Sequence, residues 1–440
     1  MGEPVAALGY PYGEYKVTEG VVHSVQNSDK WLWMKVKLSN GNSGGPVLNG
    51  KGQVIGIVYG GGFPYSCAIP SNVLSALLAR SGRVQSLKEW QNRELIRPYF
   101  YFVQSQEKYA EADYDGAIVD LDKAIQLNPN WTIAYHSRAV AKSFLAQSKA
   151  SQGAATEAYQ YHQDAIEDYT QTIKLSPEYA VAYANRGLAK YRVGRFKMDR
   201  GDVIKAQQYY QDAIEDYTKA ILLKLEFAQV YSRRARARRY LAQSKAAEGY
   251  IAEARDLYKA AIADHTKAIQ LEPENAKVYN GRGWTTCYIG QFETKEGHDS
   301  EAQKLYQAAI EDYTQAIQLD PEYAYAYKNR GWAKYLLGES ETTAGGMETA
   351  RKLYEAAVID IDTSIQLDSD NAHAYKNRGI AKAALGNPQE AITDFDKAIQ
   401  IDPEYAEVYY ERGLAKEALS QKEAAVDFEK SKNLNPDVRK

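Results

Sequence analysis

Cysteine is almost absent from the 440-residue chain. Cys67 and Cys287 stand far apart, in segments of different character. That spacing argues against a structural disulfide or a cysteine-based metal site. Long apolar runs are missing too: none approaches the roughly 18 residues that a membrane span needs. Nor does charge of one sign accumulate. The formal net charge is -3, too small to make nucleic acid the main partner. Residues 1–90 carry 8 Lys/Arg against 5 Asp/Glu, so the acidic excess lies in the remainder. Met1 leads into Gly2-Glu3-Pro4 with no basic start and no apolar core, which is not the pattern of a signal peptide. What is abundant is ordinary for a globular chain, 45% hydrophobic and 25% charged, with 36 tyrosines as the exception. The length is enough for two or three domains.

Two regions follow different patterns. Within 1–80, Val17–Val25, Trp31–Leu38 and Val54–Tyr59 are short, rich in β-branched and aromatic residues, and bounded by turn residues, so they predict strands. Ser71–Arg80 switches to helical spacing, with Val73, Leu74, Leu77 and Leu78 on one face. Residues 81–97 are polar and mixed and are expected to be a linker. From 98 to 440 the pattern is almost wholly helical.

That helical region repeats. A proline or its substitute recurs at Pro129, Pro177, Leu225, Pro273, Pro321, Ser369, Pro403 and Pro436. The first five steps are 48 residues, and the last two are 34 and 33. An alanine stands twelve residues before each landmark and an aspartate nine before. A tyrosine stands six after seven of them, from Tyr135 to Tyr409. A glycine recurs every 48 residues from Gly153 to Gly345. Distances on either side of it exceed those of the 34-residue unit by seven each. Seven residues is about two helical turns, roughly 10 Å, which lengthens both helices without rotating their apolar faces. Eight units are therefore expected, five of them lengthened, over roughly 131–370. The glycine marks the turn at the tip.

In the unit ending at Pro403, Tyr375, Gly379, Ala391, Phe395, Ala398 and Pro403 fall at a spacing that resembles the tetratricopeptide repeat. The resemblance covers about 98–440. It implies antiparallel helical hairpins stacked as an α-solenoid, with a protein- or peptide-binding surface. An arginine three after the tyrosine recurs in seven units, from Arg138 to Arg412. Its expected role is structural, pairing with the recurring aspartate on a neighbouring helix. A basic stripe for an acidic ligand is the other reading. Some members of the family hold a terminal carboxylate with Lys and Asn at set places on first helices. Asn185, Lys328, Asn329, Lys376 and Asn377 match part of that pattern and are the peptide-groove candidates. The family's second Asn position holds Val140, Leu188, Arg236, Trp284, Trp332, Ile380 or Leu414 instead, which counts against a complete clamp.

At the front, Gly41-Asn42-Ser43-Gly44-Gly45-Pro46 resembles the nucleophile loop of trypsin-like serine proteases, in the form seen in the HtrA-like branch. Ala7–Gly13, Thr18-Glu19-Gly20, Gly52–Ile57 and Ala68–Asn72 support the match, in the order expected of the second β-barrel of that fold. The resemblance implies Ser43 as nucleophile, with the Gly41 and Ser43 amides as an oxyanion hole. In the family, the catalytic His and Asp come from a first barrel that precedes the Ser. Only 42 residues precede Ser43 here. His23 and Asp29 occur in that order, but His23 follows Thr18-Glu19-Gly20 and reads as a strand histidine. Ser43 without a base is a weak nucleophile.

The sequence thus predicts a mainly α chain: a partial all-β trypsin-like barrel over 1–80, then the repeats. No cofactor or metal is expected, because no phosphate loop, metal-spaced histidine cluster or dinucleotide turn occurs. Three functional readings stand. The chain is a protein-binding scaffold carrying an incomplete, inactive protease domain; or a serine endopeptidase whose first barrel lies outside this sequence; or a protein that self-associates through the exposed half-barrel. The compartment is cytoplasmic by default, or periplasmic if an upstream signal and first barrel exist.

Overall fold

The front of the chain pairs its β-branched and aromatic segments edge to edge. In the computed structural model, the residues described are 4–9, 16–26, 31–35, 46–49, 54–62, 65–70, 97–435 and 438. Strands β1 (Pro4–Gly9), β2 (Lys16–Gln26), β3 (Trp31–Lys35), β4 (Pro46–Asn49), β5 (Val54–Gly62) and β6 (Tyr65–Pro70) form one closed barrel in the order β1-β2-β3-β6-β5-β4. Every pairing is antiparallel, and closure leaves no free edge. The register of β2 against β3 shifts between Val22 and Ser24, so His23 sits at an irregularity of a barrel strand. Gly41, Ser43, Asp29, the expected 71–80 helix and residues 81–96 lie outside the described residues.

Sixteen helices follow among the described residues: α1 (Arg97–Ala110), α2 (Tyr114–Leu127), α3 (Thr132–Ser151), α4 (Ala155–Leu175), α5 (Ala180–Asp199), α6 (Val203–Leu222), α7 (Ala228–Ala247), α8 (Ile251–Leu271), α9 (Ala276–Lys295), α10 (Asp299–Leu319), α11 (Ala324–Thr343), α12 (Met347–Leu367), α13 (Ala372–Ala384), α14 (Pro388–Ile401), α15 (Ala406–Ala418) and α16 (Ala424–Leu434). The chain divides into two compact units, Met1–Arg200 and Gly201–Lys440. In the first, α1/α2 and α3/α4 are hairpins and α5 packs on α4. In the second, α6 packs on α7, and α7/α8, α9/α10, α11/α12, α13/α14 and α15/α16 are hairpins, each packed on the next.

Helix lengths differ in one step. α9 and α10 have 20 and 21 residues, whereas α13 and α14 have 13 and 14. The added seven on each helix supply one more rung of the same packing. Gly283 lies against Tyr313, and seven residues further along α9, Gly290 lies against Tyr306, seven residues earlier on α10. A Cβ at Gly290 would come 2.5 Å from the Tyr306 ring, so the rung depends on the missing side chain. Tyr306 and Tyr313 are almost fully buried. Each such ring contributes roughly 2–3 kcal/mol of burial.

Helix ends follow local chemistry. At the tip of α7/α8, Gly249 has φ +86°, the Tyr250 amide donates to the Lys245 carbonyl at 2.9 Å, and the Gly249 amide donates to Ala246 at 3.0 Å. This closes the helix with a left-handed residue, which glycine adopts without strain. Ala112 and Ser420 take the same region at the first and last tips. Second helices end where a residue before proline is pushed to extended backbone, as at Ser176 and Asp402. At Leu225 the proline is missing. There Lys224 turns left-handed instead, and the Leu225 amide donates to Ala220 at 3.1 Å.

Candidate functional site

The recurring arginines hold the hairpins together. Arg234 Nε and Nη2 donate to the two carboxylate oxygens of Asp264 at 2.9 and 2.6 Å, and Nη1 donates to Thr218 Oγ1 at 3.0 Å. One guanidinium thus ties the second helix of its own hairpin to the helix before it. Arg282, Arg330, Arg378 and Arg412 repeat the bidentate pair on Asp312, Asp360, Asp394 and Asp427. In the first unit Arg138 clasps Asp168 in the same way. The aspartates are buried, so the pairs are well-shielded charge-assisted bonds. A second cation one turn on joins most of them: Lys142, Arg238, Lys334, Lys382 and Lys416. Burial works against the Asp427 charge, yet Arg412 and Lys416 hold its pKa below the usual carboxylate value. Beside Arg282 that second place is Thr286, and burial there raises the Asp312 pKa. The basic stripe is therefore internally neutralised and is a structural feature.

The accessible polar face is built from first helices, which touch one another along the second unit from α7 to α15. Two residues that follow a recurring tyrosine, Asn280 and Lys376, reach the aromatic that opens the next hairpin. Asn280 Nδ2 donates to the Tyr323 hydroxyl at 3.4 Å, and Asn329 Nδ2 donates to Asn280 Oδ1 at 3.0 Å. Lys376 Nζ lies 5.0 Å from the Tyr405 ring and 2.8 Å from Glu407. Burial opposes the Lys376 charge, but Tyr405 and Glu407 outweigh it and raise its pKa. Lys328 sits 5.0 Å from the Tyr325 ring with no carboxylate in hydrogen-bond reach among the described residues. Burial, with Lys376 acting in the same sense, pushes its pKa down to about 8. Tyr325 is half exposed.

Four of the five groove candidates thus fall on one face. Lys328, Asn329, Lys376 and Asn377 belong to α11 and α13, where Asn377 is the buried member. Asn185 belongs to the first unit. There its Nδ2 donates to His136 Nε2 at 3.4 Å, and burial lowers the His136 pKa to about 4, which leaves the ring neutral as an acceptor. The opening aromatics Tyr179, Tyr323 and Tyr405 were not singled out from the sequence, although they recur two residues after the landmarks. The Cys287 thiol is buried and pushed up to about 12, which makes it inert. Among the described residues no group of His, Cys, Asp and Glu could hold a metal ion, and no helix is long and apolar enough to cross a membrane.

Known proteins divide along the same line. Residues 1–57 match the trypsin-like peptidase domain family. Residues 300–323 and 372–405 match tetratricopeptide repeat families. A probable periplasmic serine endoprotease DegP-like of Hahella chejuensis is 40% identical over 86 residues, 17% of this chain and 18% of that protein. One of Marinomonas is 37% identical over 90 residues, 18% of this chain and 19% of that protein. The chain spans about a fifth of the length of the curated relatives it matches. Among solved structures, a thermophilic tetratricopeptide repeat protein of Thermus thermophilus is 18% identical, with a TM-score of 0.36, over 47% of this chain and 95% of that one. This chain therefore carries trypsin-like peptidase sequence at its front and a helical solenoid of tetratricopeptide repeats behind it.

Proposed function

We propose that the chain is a scaffold that captures peptide segments of partner proteins on the first-helix face of its repeats. The observation that carries this reading is Lys328: a partly buried ammonium with no carboxylate in hydrogen-bond reach among the described residues, set beside Lys376 and the Asn280–Asn329 ladder. The recurring arginines of the same unit, by contrast, are each matched to an aspartate. A folded chain that leaves such a group unmatched gains when a ligand supplies the acceptor. The half-exposed Tyr325 offers an apolar contact next to it.

Site-specific photocrosslinking tests this. A benzophenone side chain at position 325 is expected to capture a partner chain in the source cells. The same group at position 359, exposed on the second helix α12, is expected to capture far less. Equal capture at both positions would refute the assignment of this face.

A second reading rests on the peptidase-family match over 1–57, which contains Gly41-Asn42-Ser43-Gly44-Gly45-Pro46, and on the six-stranded barrel. In that reading, the Ser43 hydroxyl attacks a scissile carbonyl, and the Gly41 and Ser43 amides stabilise the oxyanion. Its His and Asp would come from outside this sequence, and the repeats would select substrates. A fluorophosphonate probe separates the two readings. The scaffold reading expects no labelling of this chain. Labelling that disappears in Ser43→Ala would establish a competent nucleophile and the second reading.

A further inference from the structure

Helix α7 carries five arginines between Arg233 and Arg239. Arg234 and Arg238 both bind Asp264, each at 2.6 Å. Arg236 and Arg239 have no carboxylate partner among the described residues, whereas the recurring arginines of this unit take aspartates. Arg236 is exposed and stands where the next two hairpins place Trp284 and Trp332. Arg239 is 3% exposed. Its guanidinium lies over three rings, Tyr240 at 4.2 Å, Tyr288 at 4.8 Å and Trp284 at 5.0 Å. Its one hydrogen bond is a long one, from Nη1 to Gln243 Oε1 at 3.4 Å.

The three rings and the buried cation form a platform. Trp284 stacks on Tyr288, with centroids 6.1 Å apart, and keeps 44% of its surface exposed. Arg239 fixes these rings from below, as planar guanidinium on aromatic faces does well, and supplies positive potential that no carboxylate cancels. That potential is felt around it. Arg236 and Arg239, with Arg282, add to burial in holding His265 neutral, and Arg236 opposes the burial-driven rise of Tyr323. Tyr323 accepts from Asn280, which accepts from Asn329, beside Lys328. A run of unmatched cations and half-exposed aromatics thus extends over α7, α9 and α11.

We infer that this face takes an extended acidic peptide, with carboxylates at Arg236 and Lys328 and an apolar side chain on Trp284. The inference rests on the peptide-capture reading above and specifies its ligand. Charge complementarity selects the occupant. Arg236 has a free planar fork that matches a carboxylate bidentately. A nucleic acid also offers anions and stacking, but the formal net charge of the chain is -3, and Glu407 closes the Lys376 end of the face.

Panning a random dodecapeptide library on the immobilised full chain tests the inference. Selected peptides are expected to be enriched in Asp and Glu. A selected peptide, labelled and followed by fluorescence anisotropy, is expected to lose about ten-fold or more in affinity on Arg236→Glu. Trp284→Ala is expected to weaken it several-fold, with circular dichroism unchanged. Selected peptides without acidic enrichment, or equally tight binding by Arg236→Glu, would overturn the acidic assignment and leave peptide capture standing. Recovery of no peptide at all would remove both. An oligouridine that displaces the peptide more effectively than unlabelled peptide does would move the site to nucleic acid.

Discussion

His265 shows how one residue sets the acid limit of a hairpin. It occupies the place where other hairpins put Tyr169, Tyr313, Phe395 or Phe428. It is 4% exposed, and its Nδ1 has no hydrogen-bond partner. Burial, with Arg236, Arg239 and Arg282 acting in the same sense, drives its pKa down to about 3. The unfolded chain takes up a proton near the ordinary value of 6.5, which the folded chain refuses. Stability at this site is therefore whole above pH 6.5 and is lost as pH falls toward 3. The loss amounts to about 1.4 kcal/mol per pH unit, or roughly 2 kcal/mol by pH 5. His162, which stands where Tyr210, Tyr258, Tyr306 and Tyr354 recur, adds a second contribution of the same sign. His265→Phe keeps the ring against Gly281 and removes the titration. Thermal melts at pH 7.5 and 5 are expected to lie closer together in this variant than in the parent chain. An unchanged gap would mean that His265 finds a proton acceptor in the folded state.

At the scale of the helix, much was legible because the determinants are local and periodic. Gly249 at a tip, the residue before Pro403 at a helix end and Ala391 under an aromatic each act through neighbours a few residues away or through a fixed spacing. A 48-residue period with seven extra residues on each side of a glycine already implies two lengthened helices. The second rung, Gly290 against Tyr306, follows from seven residues being nearly two turns. What the spacing could not supply was side-chain destination. Asn377 and Lys328 both read from the sequence as groove residues, yet the first is buried and the second has no carboxylate in hydrogen-bond reach among the described residues. Arg239 sits in an arginine-rich run that reads as a solvated helix face, but its guanidinium is among the most buried charges. Such a placement depends on Trp284 and Tyr288, more than forty residues away, and no helical periodicity encodes it. At the front, the motif around Ser43 was legible because it is a single local stretch, and residues 1–57 match the trypsin-like peptidase domain family.

Across the second unit, stability should be graded, because each hairpin packs chiefly on its sequence neighbours. The α9/α10 hairpin has partners on both sides and two glycine–tyrosine rungs, Gly283 with Tyr313 and Gly290 with Tyr306. The α15/α16 hairpin has one rung, Gly413 with Phe428. Its α16 is only 11 residues long, Val426 is 64% exposed, and its tip turn strains Ser420 at φ +57°. Helices with few neighbours open at lower free energy than those buried between others. Hydrogen exchange on the full chain, read by mass spectrometry, is therefore expected to release the amides of α16 first and those of α10 late. The expected rate difference is about a hundred-fold or more, the ratio that corresponds to a local difference of roughly 3 kcal/mol. Exchange of both helices at one common rate would show instead that the unit opens all at once. In that case the bonds that each arginine makes to the preceding hairpin, such as Arg234 to Thr218, and not the packing within each hairpin, would set its cooperativity.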